Sequence, residues 1–243
     1  MAGRRKLFKD FSKGWSKFEI AMLIIGIVVP IVLGVVFNSS FLEIATSILF
    51  ITSMLLIAKA RVEGFLLALV AYTLYVIVSF NAGLFGEVIT IGLFSIPITT
   101  WTVISWLRKC RDCREEAQAK AVVAIEGIKP KELTILIISQ LVMGVGYFFL
   151  LRAFDTNFLI ISTIALAVNI MGDYLCARRN ILGPFAYVLY DVFTITLWVL
   201  VFASGVTGAV VILAMQVIVF INDTYGTMNW ARLAKKETSK TAS

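Results

Sequence analysis

Apolar residues run along this chain in long blocks, and the blocks match the thickness of a bilayer's hydrocarbon core. A helix rises 1.5 Å per residue, so roughly 20 apolar residues cross a core of about 30 Å. Eight stretches have about that length: 20–37, 41–58, 65–82, 88–107, 133–151, 157–176, 183–204 and 208–231. Backbone amides in lipid must be satisfied within their own segment, so each block predicts a helix and the chain predicts an all-α integral membrane protein.

Marks between the blocks recur. Basic "KAR" (59–61), an apolar helix, "GLFG" (83–86), a second apolar helix and Trp106 before "RK" compare with "ARR" (177–179), an apolar helix, "GVTG" (205–208), an apolar helix and Trp230 before "ARLAKK". The two G-x-x-G turns start at Gly83 and Gly205, 122 residues apart. This predicts two parallel three-helix repeats, 41–107 and 157–231, joined by the linker helix 133–151 and preceded by an extra helix 20–37. Parallel repeats about an axis along the membrane normal are a transporter device, with substrate held near the midplane between the halves.

Charge then fixes a direction. Lys and Arg stay in cytoplasmic loops. With both termini inside, 1–19, the 59–61 turn, the loop 108–132, the 178–179 turn and the tail 232–243 hold every basic residue except Arg152. The net charge of +7 is thus a topology signal, and a nucleic-acid partner is not implied. The start, 1–19, interleaves basic residues with Leu7, Phe8, Phe11, Trp15 and Phe18, which suits a segment lying on an anionic inner leaflet. It lacks the small-residue cleavage site of a signal peptide. Cys110 and Cys113 form a C-x-x-C in the long loop, but a zinc site needs about four ligands and the chain has no His, so two reduced loop cysteines and no metal or cofactor are expected.

"LFGE" (84–87) with Tyr75 ahead of it, "GWSKFE" (14–19), "LCARR" (175–179) followed by Asp191, and Trp230 beside the basic end resemble the PnuC family of bacterial vitamin transporters over nearly the whole chain. The resemblance implies a build like that of the SWEET sugar transporters, a homotrimer in the bacterial inner membrane, and facilitated diffusion of nicotinamide riboside with a cytoplasmic kinase trapping the product. Relatives carry thiamine, riboflavin or deoxynucleosides. Where nicotinamide riboside carriers tend to show two Trp three apart, this chain has Pro184 and Tyr187. Where a Gln usually precedes the end of the sixth helix it has Asp173, and the Asn and Gln of the third helix read Gly64 and Ala71. The usual Asn after "LYGE" is replaced within "VITIG". These departures bear on which vitamin is carried.

Helical spacing groups the intramembrane polar residues on faces. Gln216, Phe220, Asp223, Thr227 and Trp230 form one stripe of the last helix; Asn169 and Asp173 are i, i+4 on the sixth; Tyr187, Asp191 and Thr194 share a face of the seventh. The matching stripe of the fourth, Ser95, Thr99 and Trp106, is neutral. Asp173, Asp191 and Asp223 are therefore expected to converge on a polar cavity, where ribose hydroxyls would donate to them and a cationic ring would be attracted. Tyr72, Tyr75, Tyr187 and Trp101 are candidates to stack on the base, a contact worth about 0.5–2 kcal/mol if the base is cationic. Tyr75 is also what the family pattern carries over.

Structural alternatives stand beside each reading. For Asp191 a helix-helix hydrogen bond, and behind it a proton site, rank below lining the pathway; Asn169 would equally serve helix packing, and Ser95, Thr99 and Gln216 would equally serve as interhelical bonds worth roughly 0.6 kcal/mol each. Trp106 and Trp230 read as interface anchors, and Glu87 as solvated. Pro97, Gly172 and Gly226 are expected to let each trio bend.

An enzyme is not expected. The chain has no His, no G-x-S-x-G, no Walker loop and no H-E-x-x-H. The leading expectation is uptake of a nucleoside-like vitamin, foremost nicotinamide riboside. Alternatives are a related carrier for deoxynucleosides or thiamine, a proton-coupled symporter using Asp191, and a vitamin-capture subunit of an energised partner.

Overall fold

The computed structural model describes the backbone of residues 15–116 and 127–241, with side chains over 15–108 and 127–235. The start up to residue 14, expected to lie on the leaflet, and the pair Cys110 and Cys113 fall outside the described side chains. The described residues form nine α-helices and one π-helical turn, with no strand. They are α1 (Lys17–Val36), α2 (Phe41–Ala58), α3 (Val62–Asn81), α4 (Phe85–Ile89), the π turn (Thr90–Ser95), α5 (Ile96–Glu116), α6 (Pro130–Ala153), α7 (Leu159–Ala177), α8 (Gly183–Ala203) and α9 (Ala209–Thr241). α4, the π turn and α5 as far as Arg108 make a single span, so eight segments are long and apolar enough to cross a membrane.

Four spans begin about one turn ahead of their apolar blocks, because polar first turns belong to the helix. α1 shows why: Ser16 caps it by accepting the Glu19 N–H (3.2 Å) while the Glu19 carboxylate accepts the Ser16 N–H (2.7 Å). Ser40 and Glu43 repeat this box on α2. Each box satisfies amides that the helix itself leaves bare and sets an acid against the positive end of the dipole.

Helix ends close with left-handed residues. Ala60 (φ 54°) and Arg179 (φ 55°) let the Arg61 N–H return to Leu56 O (3.1 Å) and the Asn180 N–H to Leu175 O (2.8 Å), the bond that seals a helix C-terminus. Three residues on, Gly64 and Gly183 bring the next helix hard against the turn. A Cβ on Gly64 would come 2.6 Å from the Ile57 N, and one on Gly183 would come 3.1 Å from the Cys176 N. The basic marks of the sequence are therefore two turns of one construction, in register at 59–61 and 178–180.

α2 packs on α3, α7 on α8, and α8 on α9. α9 also crosses α2 and α1, while the fourth span packs on α3 and α7. α6 docks on α7 at the margin: only 11% of its spanning window is buried, against 56% for α2. α1 is held at its start by Glu19, which takes Lys59 Nζ (2.6 Å) and the Tyr225 hydroxyl (2.8 Å), with Lys59 also 4.5 Å over the Trp15 ring.

One expectation is corrected here. Trp106 and Trp230 are not interface anchors: both are fully buried and stack on each other at 6.0 Å. Trp230 donates to Ile57 O (3.1 Å), which also takes the Ala60 N–H (2.8 Å), and Asn229 to Ala58 O (2.9 Å), so the polar end of the last apolar block meets the terminal carbonyls of α2. The irregularity of the fourth span lies ahead of Pro97, in the wide turn that makes room for a ring that would clash with the carbonyl four residues back. Gly172 and Gly226 sit in tight contacts, against the Tyr187 ring and Ala58.

Candidate functional site

A narrow cavity of about 10 Å3, room for roughly one water, opens among six of the spans. Its lining is Phe50 and Met54 of α2, Tyr72 of α3, Ile91 of the π turn, Asn169 of α7, Tyr187, Tyr190 and Asp191 of α8, and Val219 and Asp223 of α9. Ligand pockets run from about 300 Å3 upward, far more than this space, so a nucleoside would enter only after the walls had parted widely.

One side of the wall is a hydrogen-bonded set around Asp173. Tyr187 donates to Oδ1 (2.7 Å); Ser95 (2.6 Å) and the Asn169 amide (3.2 Å) donate to Oδ2. Asn169 also donates to Ser95 (2.7 Å), so the group is closed on itself. Tyr187 lies over Gly172, where a Cβ would come 2.9 Å from its ring. Asp173 thus fixes two cavity residues, Tyr187 and Asn169, from behind.

Asp191 and Asp223 face the cavity with far less support. Asp191 is 2% exposed and its Oδ2 has no hydrogen-bond partner among the described residues. Asp223 accepts from the Asn222 amide (3.0 Å), and the Asn222 Oδ1 and Gln216 Oε1 are also buried without partners. The chain has no Lys or Arg between 62 and 107 or between 180 and 231, so the lining elements α3, α8 and the spanning part of α9 bring no cation to this pair. A buried carboxylate oxygen without a donor is costly, and water, a proton, a cation or a ligand hydroxyl would each meet it.

A second set surrounds Tyr75. Its hydroxyl donates to Glu87 Oε2 (3.3 Å) and accepts from Trp198 Nε1 (2.8 Å) and Gln216 Nε2 (3.2 Å). Tyr190 donates to the same Glu87 oxygen (2.8 Å). Glu87 is 1% exposed, which corrects its reading as solvated: α4 begins with Leu84 already buried, so its first turn lies inside the bundle.

Of the residues expected from sequence, Asn169, Tyr187, Asp191 and Asp223 line the cavity; Asp173 bonds to its wall, Tyr75 packs on Phe50 of the wall, and Gln216 bonds to Tyr75 behind it. Thr194 returns its hydroxyl to the Tyr190 and Asp191 carbonyls (3.3 and 3.1 Å), a helix-internal role. Trp101 is 49% exposed and takes no part in the lining. The inward stripe of the fourth span is Ser95, Thr99, Thr102 and Trp106, and Trp101, two residues from Thr99, points about 200° away from it. Tyr190 and Trp198 went unread, although they continue the Tyr187 face at three and eleven residues on.

The geometry has counterparts among known proteins. A family model described as nicotinamide mononucleotide transporter matches residues 40–232, most of the chain and every lining residue. The chain belongs to the nicotinamide mononucleotide transporter family. A curated relative, the nicotinamide riboside transporter PnuC of Neisseria mucosa, is 24% identical over 242 residues, covering 98% of this chain and 88% of the relative. The solved structure titled as the vitamin B3 transporter PnuC superposes with a TM-score of 0.82 at 20% identity, over 95% of this chain and 97% of that one. This nicotinamide mononucleotide transporter family member therefore shares the PnuC fold and is a multi-pass membrane transporter, not an enzyme. The family match begins at residue 40 and leaves out α1.

Proposed function

We propose that this transporter takes up a nucleoside-like vitamin carrying a single positive charge, foremost nicotinamide riboside, by facilitated diffusion. The observation that carries this reading is the bare Oδ2 of Asp191 facing a cavity walled by aromatic rings and a second carboxylate. A pyridinium ring between Tyr72, Tyr187 and Tyr190 would gain both stacking and the field of the carboxylates. Ribose hydroxyls would donate to Asp223 and Asp191, and the Asn169 amide oxygen, its N–H groups being taken by Ser95 and Asp173, would accept from a ligand N–H. A neutral nucleoside would satisfy the hydroxyl contacts and leave the charge uncompensated. That separates this reading from a deoxynucleoside carrier.

The two-repeat plan is supported by reciprocal packing: α9, last of the second trio, crosses α2, first of the first, and the fourth span packs on α7. The charge asymmetry supports cytoplasmic termini and an inner-membrane location. Homotrimer assembly and trapping by a cytoplasmic kinase are carried over from the family resemblance. With no nucleotide-binding motif in the sequence, trapping would supply the direction of net uptake. Titration calorimetry of the purified protein with nicotinamide riboside, thiamine and a set of neutral ribo- and deoxynucleosides tests the substrate class. The cations are expected to bind, and tight binding of a neutral nucleoside alone would replace this reading.

A further inference from the structure

Glu87 is a buried carboxylate to which substrate binding assigns no task. It stands in the first turn of α4, between the α3–α4 turn and the cavity, at the end away from the α2–α3 and α7–α8 turns. Its Oε2 is shared by Tyr75 of α3 and Tyr190 of α8, and Tyr75 is held in turn by Trp198 of α8 and Gln216 of α9. Three of these four bonds join α3 or α4 to α8 or α9, across the line where the cavity lies. All five side chains are at most 5% exposed.

The set touches the cavity directly. Tyr190 is part of its wall, and the Phe50 ring, also in the wall, packs 5.4 Å from the Tyr75 ring. Moving either tyrosine therefore moves the wall. The chemistry suits a contact that is made and broken: the carboxylate is held by neutral hydroxyls, with no basic residue between 62 and 107 or between 180 and 231, and water replaces a hydroxyl donor at little cost once the helices part. Packed interfaces of this kind switch between discrete arrangements instead of deforming smoothly.

We propose that Glu87 is the positioning residue of a closure over the cavity: by pinning Tyr190 and Tyr75 together it shuts the end nearest the α3–α4 turn, and each transport cycle breaks and remakes this set. The inference rests on the cavity being the transport pathway but not on the identity of the vitamin. It predicts which end opens and which residues respond, beyond anything binding residues alone would do.

The test uses the full chain with its three cysteines replaced and Ile91→Cys placed in the cavity wall, reconstituted in vesicles. A membrane-impermeant thiol reagent is applied to each side in turn. Glu87→Ala and Tyr190→Phe are expected to raise labelling from the α3–α4 side about tenfold, the size expected for losing a buried bond to a charged group. Glu87→Ala, outside the cavity lining, is also expected to slow nicotinamide riboside exchange while leaving its Kd within about threefold of the parent. Glu87→Gln keeps an acceptor oxygen and should restore most of both. Because labelling needs no substrate, a wrong vitamin leaves this arm readable, and size-exclusion profiles separate misfolding from opening. Unchanged labelling in a monodisperse Glu87→Ala protein overturns the proposal. So does a loss of Kd that matches the loss of exchange, or labelling that rises only from the opposite side.

Discussion

At the residue scale, Asp191 stands in a conflict between stability and binding. Its unpartnered oxygen costs the empty protein free energy that a bound cation returns. Asp191→Asn removes the charge while keeping the shape. It is expected to raise the thermal midpoint in detergent, as removal of about 1–3 kcal/mol of uncompensated burial would, and to weaken nicotinamide riboside binding by roughly tenfold or more. A variant that loses both stability and binding would instead mark Asp191 as a structural bond. Tyr187→Phe acts from the other side. It strips a 2.7 Å donor from Asp173, and the stranded oxygen is expected to cost about 1–3 kcal/mol, read by thermal unfolding, along with loss of a cavity ring's orientation. The acids and Tyr187 were legible in the sequence because a polar group inside an apolar block is conspicuous and helical spacing says which ones share a face. Glu87 was not. Beside a G-x-x-G turn, a solvated and a buried carboxylate look alike, and only the depth at which α4 begins separates them. Trp101 failed for the opposite reason: it was chosen for its chemistry, although its phase on the fourth span pointed away from Ser95 and Thr99.

At the element scale, the matched turns after α2 and α7 hold the fold by backbone contact. Because the atom facing Gly64 is the Ile57 backbone nitrogen, it cannot step aside, and Gly64→Val is expected to cost about 3 kcal/mol or to abolish a monodisperse protein. Gly144→Ala is the control: nothing lies within 4 Å of a Cβ there, and replacing a helical glycine is expected to be neutral or to stabilise by about 0.5–1 kcal/mol. Equal effects of the two would contradict the close-approach argument. α1 hangs on a different contact. Lys59→Met leaves Glu19, 4% exposed, without its cation and is expected to cost about 3 kcal/mol, while the double change with Glu19→Gln recovers much of it. Hydropathy located these helices but could not show the turns' construction, since Ala60 and Arg179 give no sign of left-handed backbone. Polar first turns also read as loop in a hydropathy window, which is why four spans begin earlier than their apolar blocks.

At the scale of the whole molecule, the eight spans and the family were readable from block lengths and motif order, whereas the closed cavity was not, because it depends on which faces meet. The cavity's lack of any basic residue is the property that ties fold to function. Facilitated diffusion of a cation through it would let internal and external concentrations become equal and no more in vesicles held at zero membrane potential; accumulation there under a pH gradient would favour coupling. The most direct test of a cavity built for a cation compares nicotinamide riboside with its 1,4-dihydro form, nearly the same shape without the charge, by titration calorimetry on the parent and on Asp191→Asn. The account predicts that the parent binds the charged form at least about tenfold more tightly and that Asp191→Asn largely erases the difference. Equal affinity of the parent for both forms would contradict it.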